Sequence, residues 1–125
     1  MALLELENCT KVFGGLKAVN GVSLAVDSGG LIGLIGPNGA GKTTVFNLLT
    51  GVYQPTSGAI TLEQRSLVGK IPSQIAQMGV CRTFQNIRLF PDLSVLDNVR
   101  IACHVRGEST MLDALLRTGR HYRSE

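Results

Sequence analysis

Gly36-Pro37-Asn38-Gly39-Ala40-Gly41-Lys42-Thr43 satisfies the spacing G-x-x-x-x-G-K-[ST], which leaves few folds open to the chain around it. Its flanks matter as much as its letters. Leu31-Ile32-Gly33-Leu34-Ile35 precedes it and is apolar at both alternations, as a central parallel strand should be. A helical pattern from Lys42 to about Thr50 follows, with Val45, Leu48 and Leu49 on one face and Gly51 as its stop. A glycine-rich turn between such a strand and such a helix can point consecutive backbone amides inward, where side chains would obstruct them. The helix adds its unpaired first-turn amides and the positive end of its dipole. The spacing therefore describes a cradle for a nucleotide's polyphosphate tail. Lys42 brings a full charge to the outer phosphates, Thr43 offers a hydroxyl to Mg²⁺, and Thr44 brings an amide to an inner phosphate. A glycine-rich turn with an incidental lysine is the bland alternative, and the strand and helix on either side argue against it.

Elsewhere the pattern alternates between strands and short helices. Leu4, Leu6, Val12 and Phe13 mark a first strand, closed by Gly14-Gly15. Val22-Ser23-Leu24-Ala25-Val26 alternates cleanly, so a second strand is expected to be antiparallel and half exposed. Gln54–Gly58 reads as a turn and Ala59–Leu62 as a strand. A helix is expected from Pro72 to Gly79, burying Ile71, Ile75 and Met78. Val80–Phe84 reads as a further strand and the only plausible parallel partner of Leu31–Ile35. Ser94-Val95-Leu96-Asp97 has the form of a capping box for a helix to about Cys103, and a last helix is expected near Thr110–Thr118.

At 125 residues, with 44% hydrophobic and 17% charged positions, the chain is sized for one domain and is too apolar for disorder. The net charge of +3 arises entirely beyond residue 50, with Arg100, Arg106, Arg117, Arg120 and Arg123 near the end. No aromatics interleave with them, so a solvated helical face fits better than a nucleic-acid patch. The three cysteines, Cys9, Cys81 and Cys103, lack metal-ligand or redox spacing and fit reduced thiols. Asn8-Cys9-Thr10 matches a glycosylation sequon, but Glu5 and Glu7 interrupt the N-terminal apolar run, so no signal peptide is expected. No apolar stretch approaches the length needed to span a bilayer.

The phosphate loop alone leaves kinase, GTPase, helicase and transport ATPase open. A GTPase should carry Asn-Lys-x-Asp for guanine, and none occurs. An Asp-x-x-Gly occurs at Asp27–Gly30, but ahead of the loop, where it cannot serve as a switch. No arginine-rich lid follows the loop as a small kinase would need.

Taken together, Gly36–Thr44, Pro55-Thr56-Ser57-Gly58 and Thr83-Phe84-Gln85 closely resemble the ATP-binding subunit of an ABC transporter. Arg82-Thr83-Phe84-Gln85-Asn86-Ile87-Arg88-Leu89-Phe90-Pro91 resembles more particularly the branched-chain amino-acid importer ATPases, supported by Phe13-Gly14-Gly15-Leu16 and Leu93–Val99. The resemblance covers all but about the last fifteen residues. It implies an α/β fold of the P-loop NTPase type: a parallel core, an antiparallel N-terminal β subdomain and the start of a helical subdomain. Residues 1–90 would carry the β subdomain and the P-loop core, ending in the Gln85 loop; residues 91–125 would open the helical subdomain.

The resemblance also implies roles. ATP and Mg²⁺ would bind at Gly36, Pro37, Asn38, Gly39, Ala40, Gly41, Lys42, Thr43 and Thr44. Phe13 would stack on adenine, with a core or hinge residue as the less favoured alternative. Gln85 would reach Mg²⁺ and the attacking water, although a polar loop residue is also plain chemistry. Val19 would flank adenine or else belong to the core. Asn86–Pro91 would meet the coupling helix of a membrane subunit. The implied partners are membrane permease subunits, a second ATPase subunit in a homo- or heterodimer and, indirectly, a solute-binding protein, with no nucleic acid. The implied place is the cytoplasmic face of the cell membrane, held there through the permease subunits. Two departures stand out: Gly30 where the family usually has an acidic residue, and Glu63-Gln64 where an Asp-Gly turn would be usual, which leads to the expectation of a looser hairpin.

The family's catalytic Glu, the Asp before it, the Ser-Gly-Gly signature and the switch His have no counterpart in the sequence, and His104 and His121 lack the context to replace the last. The chain is therefore expected to be the N-terminal part of a longer transport ATPase subunit and to be inactive in hydrolysis alone. A nucleotide-binding regulatory module that never hydrolyses is the alternative, and a soluble ABC-type protein for translation or repair is a third reading.

Overall fold

A computed structural model describes residues 2–84, 86 and 88–103. The chain divides into two compact units, Met1–Cys81 and Arg82–Glu125. The first unit is built on β1 (Ala2–Phe13) and β2 (Leu16–Asp27), joined by the two-residue turn Gly14-Gly15. β3 (Ser57–Leu62) pairs with the other edge of β1, and the short β4 (Arg65–Ser66) pairs with β3. The sheet order is β2-β1-β3-β4, and every pairing is antiparallel. The alternation expected at Val22–Val26 holds: Val22, Leu24 and Val26 are half-buried while Ser23 and Ala25 are exposed.

Leu6 and Cys9 are both buried although they stand three positions apart, where a regular strand would place them on opposite faces. A bulge resolves this. The register of β1 shifts between these two residues, and Asn8 takes a left-handed φ of 47°. The Asn8 amide then leaves the ladder and donates to the Ser23 hydroxyl at 2.9 Å.

Two helices close the core. α1 (Lys42–Leu49) contributes Val45 and Leu48, and α2 (Pro72–Gln77) contributes Ile75. With Leu6, Cys9, Val19, Ile60 and Leu67, these residues form one buried cluster. Full burial of each Leu or Ile contributes about 1.5–3 kcal/mol. Pro72 stands at the first position of α2, where its missing N–H removes no bond. The Ile71 amide donates to the Gln74 side chain at 3.1 Å and so closes that end of the helix.

Several expectations are corrected. Leu31–Ile35 is not a strand: among the described residues no segment pairs with it, and Leu31 and Ile35 are 98% and 95% exposed. Val80–Phe84 is likewise without strand structure. An apolar sequence specifies where side chains would go, but a strand exists only with a neighbour to satisfy its backbone, and among the described residues these two segments do not pair. Ile71 is exposed because it precedes α2 in extended conformation; only Ile75 of the expected face is fully buried. The β3–β4 hairpin closes on a tight connection even without Asp-Gly. Leu62 pairs with Arg65 across the two-residue turn Glu63-Gln64.

In the second unit, α3 (Val95–Cys103) starts where the capping box placed it. The Asp97 amide donates to the Ser94 hydroxyl oxygen at 3.1 Å, and that hydroxyl donates to the Asp97 carboxylate at 2.6 Å. The Asn98 side chain accepts from the Phe90 amide and donates to the Phe90 carbonyl, tying the preceding loop to the helix. The helix expected near Thr110–Thr118 lies outside the described residues.

Candidate functional site

The glycine-rich loop and the tip of the β1–β2 hairpin face each other across a cavity of about 460 Å³, within the range of small-molecule sites. Asn38, Gly39, Gly41, Lys42, Thr43 and Thr44 line it from the loop and α1; Phe13, Leu16, Lys17 and Ala18 line it from the hairpin.

The backbone explains how the loop holds its shape. Gly39 and Gly41 sit at left-handed φ values of 84° and 92°, where side chains are strained. The Ala40 amide closes the turn onto the Pro37 carbonyl at 3.2 Å, and the Val45 amide begins the α1 ladder on the Gly41 carbonyl at 3.0 Å. The N-cap, Gly41, has no side chain to cap α1, and the first turn holds no acidic residue. The amides of Lys42, Thr43 and Thr44 are therefore left at the helix's positive end, beside the cavity. The Lys42 ammonium folds back on the loop and donates to the carbonyls of Gly36 and, at 2.8 Å, Pro37. Gly36, Pro37 and Ala40 thus shape the loop without lining the cavity.

Lys17 and Lys42 both line the cavity, and no acidic side chain does, so the site suits an anion. Thr43, with Thr44 and Asn38 beside it on the lining, offers an oxygen there for a hard cation. A single hydroxyl fits Mg²⁺ that arrives with a polyphosphate and keeps most of its other ligands as water and phosphate oxygens. Among the described residues no cluster of His, Cys, Asp and Glu could hold a metal by itself.

Phe13 stands at the cavity, 39% exposed as a residue, with its ring in edge-to-face contact with Tyr53, centroids 5.0 Å apart and planes at 73°. Val19 belongs to the core instead, at 5% exposure. Gln85 lies outside the described residues. Sequence reasoning missed Leu16, Lys17 and Ala18, whose signal was their adjacency to Phe13 on the hairpin. It also missed Tyr53, which no periodicity marks because it lies in an irregular segment after α1.

The family model for ABC transporters matches residues 19–124. The chain belongs to the ABC transporter family. Within that family it is 51% identical over 116 residues to the high-affinity branched-chain amino acid transport ATP-binding protein LivG of Salmonella typhimurium, covering 93% of this chain and 46% of LivG. It is 48% identical over 123 residues to BraF of Pseudomonas aeruginosa, a protein of the same description, covering 98% of this chain and 48% of BraF. The crystal structure of the ADP conformation of an ATP-binding cassette of an ABC transporter superposes with a TM-score of 0.76 at 34% identity, covering 95% of this chain and 46% of that cassette. The chain therefore spans about half the length of the ABC transporter relatives it matches, and its fold is that of an ABC ATPase cassette. Among the described residues, no helix is long and apolar enough to cross a membrane.

Proposed function

We propose that this chain provides the nucleotide-binding half of an ABC importer ATPase subunit, which couples ATP binding and hydrolysis to uptake of branched-chain amino acids or similar solutes. The observation that carries this reading is the acid-free cavity between the α1 N-terminus and Phe13, with Lys42 and Thr43 on its lining. Likeness to LivG and BraF supports the solute class.

In this reading the loop amides and Lys42 hold the β- and γ-phosphates, and the adenine lies on Phe13. Mg²⁺, when bound with the nucleotide, neutralises charge on the outer phosphates; Thr43 and Gln85 would hold it. Lys42 must exchange its two loop carbonyls for phosphate oxygens, a trade of neutral acceptors for charged ones that favours binding. Gln85 orients the attacking water. Residues 1–90 carry these functions and residues 91–125 begin the helical subdomain. The subunit works as a dimer, seated on membrane permease subunits at the cytoplasmic face, with a solute-binding protein delivering the cargo.

Vesicles carrying the intact transporter test this. With ATP inside, labelled leucine should accumulate, and Lys42→Ala should abolish both accumulation and phosphate release. Unchanged uptake by that variant would remove the basis of the proposal.

A further inference from the structure

Phe13 is part of a three-residue stack. Its ring and that of Tyr53 meet edge to face with centroids 5.0 Å apart, and the Lys11 ammonium lies 5.1 Å from the Phe13 centroid and 5.8 Å from that of Tyr53. Neither Tyr53 nor Lys11 lines the nucleotide cavity; Phe13 does. Both partners are themselves held. The Tyr53 amide donates to the Asn47 carbonyl of α1 at 3.0 Å. The Lys11 ammonium donates to the Gln54 carbonyl at 2.8 Å, and the Gln54 side chain accepts from the Gly69 amide at 2.7 Å and donates to the Lys70 carbonyl at 3.1 Å.

We propose that Tyr53 and Lys11 are positioning residues that fix the Phe13 ring for contact with the base of the nucleotide. The inference rests on the reading of the cavity as an ATP site. An exposed phenyl ring beside a hairpin turn would otherwise lose rotamer freedom when a base stacks on it, and that loss weakens binding. An edge-to-face partner and a cation over the ring restrict it beforehand. Tyr53 also lies four residues beyond the end of α1, to which its amide is bonded, and the first turn of α1 carries Lys42 and Thr43. The base side of the site is thereby tied to the helix that holds its phosphate side.

The test compares two ligands, Mg-ATP and inorganic triphosphate, by calorimetric titration of the full chain. Phe13→Leu should weaken ATP roughly tenfold or more and leave triphosphate unchanged. Tyr53→Leu should weaken ATP alone, by about two- to tenfold, and Tyr53→Phe should restore it because the aromatic ring is kept. Lys11→Gln should also weaken ATP alone. If Phe13→Leu shifts the ratio of the two affinities and Tyr53→Leu does not, positioning by Tyr53 is wrong while the ATP site stands. Equal weakening of both ligands by Tyr53→Leu would mean a merely structural role and overturns the inference too. If Phe13→Leu leaves the ratio unchanged, the base does not lie on Phe13 and the inference fails with that reading. A measurement that needs no Tyr53 variant to fold uses Tyr122→Phe. The chain has two tyrosines and no tryptophan, so Tyr53 emission can then be read alone. ATP should change that emission and triphosphate should not; an unchanged signal at saturating ATP overturns the proposal.

Discussion

Gly41 lies so close to Ala18 that a Cβ on Gly41 would overlap the Ala18 carbonyl oxygen. This approach seats the phosphate loop against the β1–β2 hairpin and sets the width of the cavity between them. Gly41 also has a φ of 92°, so Ala there meets both strain and collision. Gly41→Ala should destabilise the first unit by about 2–4 kcal/mol, or displace the loop and lose nucleotide binding. Urea unfolding read beside ATP titration checks this. Wild-type stability together with wild-type affinity would show that the approach is not needed.

Lys42 offers a sharper separation. Its charged contacts to phosphate should contribute roughly 1.5–3 kcal/mol each, so Lys42→Ala should weaken ATP by about ten- to hundredfold. Adenosine, which lacks phosphate, should bind the variant and the parent alike. A fluorescent-nucleotide competition with ATP and adenosine measures both, and equal losses for the two would place the ammonium somewhere other than the phosphates.

Much of this site was legible before the structure, for a physical reason. The loop is defined by backbone: two glycines at positive φ, a lysine and a threonine at fixed offsets leave few alternatives. The β1–β2 hairpin was legible because one side of the sheet is buried and the other exposed, so Val22–Val26 had to alternate. Leu31–Ile35 shows the limit. Its apolar pattern describes a strand with both faces covered, but pairing depends on a second segment, and the sequence of one segment does not supply its partner. The bulge at Asn8 was equally hidden, since a bulge is a relation between two strands. Tyr53 was missed because its role comes from a contact with Phe13 across 40 residues of chain, which no local pattern encodes.

The β3–β4 hairpin makes a stability prediction. Its turn residues Glu63 and Gln64 have φ values of 46° and 64°, the left-handed pair that matches hairpin twist. Neither residue type favours that region, whereas Asn and Gly do. Glu63→Asn with Gln64→Gly should therefore raise stability by about 1 kcal/mol, with no change in the register of Leu62 and Arg65. The midpoint of urea unfolding should rise; a fall would mean that the two side chains support the turn in some way that backbone strain does not capture.

Cys9 gives a pH-dependent prediction of defined sign. It is fully buried, and its thiol donates to the Ala59 carbonyl at 3.1 Å. Burial raises its pKa above the ordinary 9.0, because the thiolate loses more hydration than the thiol; a backbone hydrogen bond at Glu7 opposes this and the Glu7 charge adds to it. Below pH 9.0 both folded and unfolded chains keep the proton, and the stability Cys9 provides is fully present. As pH rises past that value the unfolded chain releases its proton first, so stability falls until the folded thiol also ionises. Cys9→Ala should cost about 1–2 kcal/mol at neutral pH through the lost sulfur contacts. The gap between parent and variant should stay constant up to about pH 8 and narrow above pH 9. Urea unfolding of both proteins from pH 7 to about 10.5 measures that gap while other titrating groups cancel. Alkylation follows the same logic: the exposed Cys81 and Cys103 should react with iodoacetamide at pH 8 well before Cys9 does. A gap that widens with pH, or early labelling of Cys9, would contradict a buried neutral thiol.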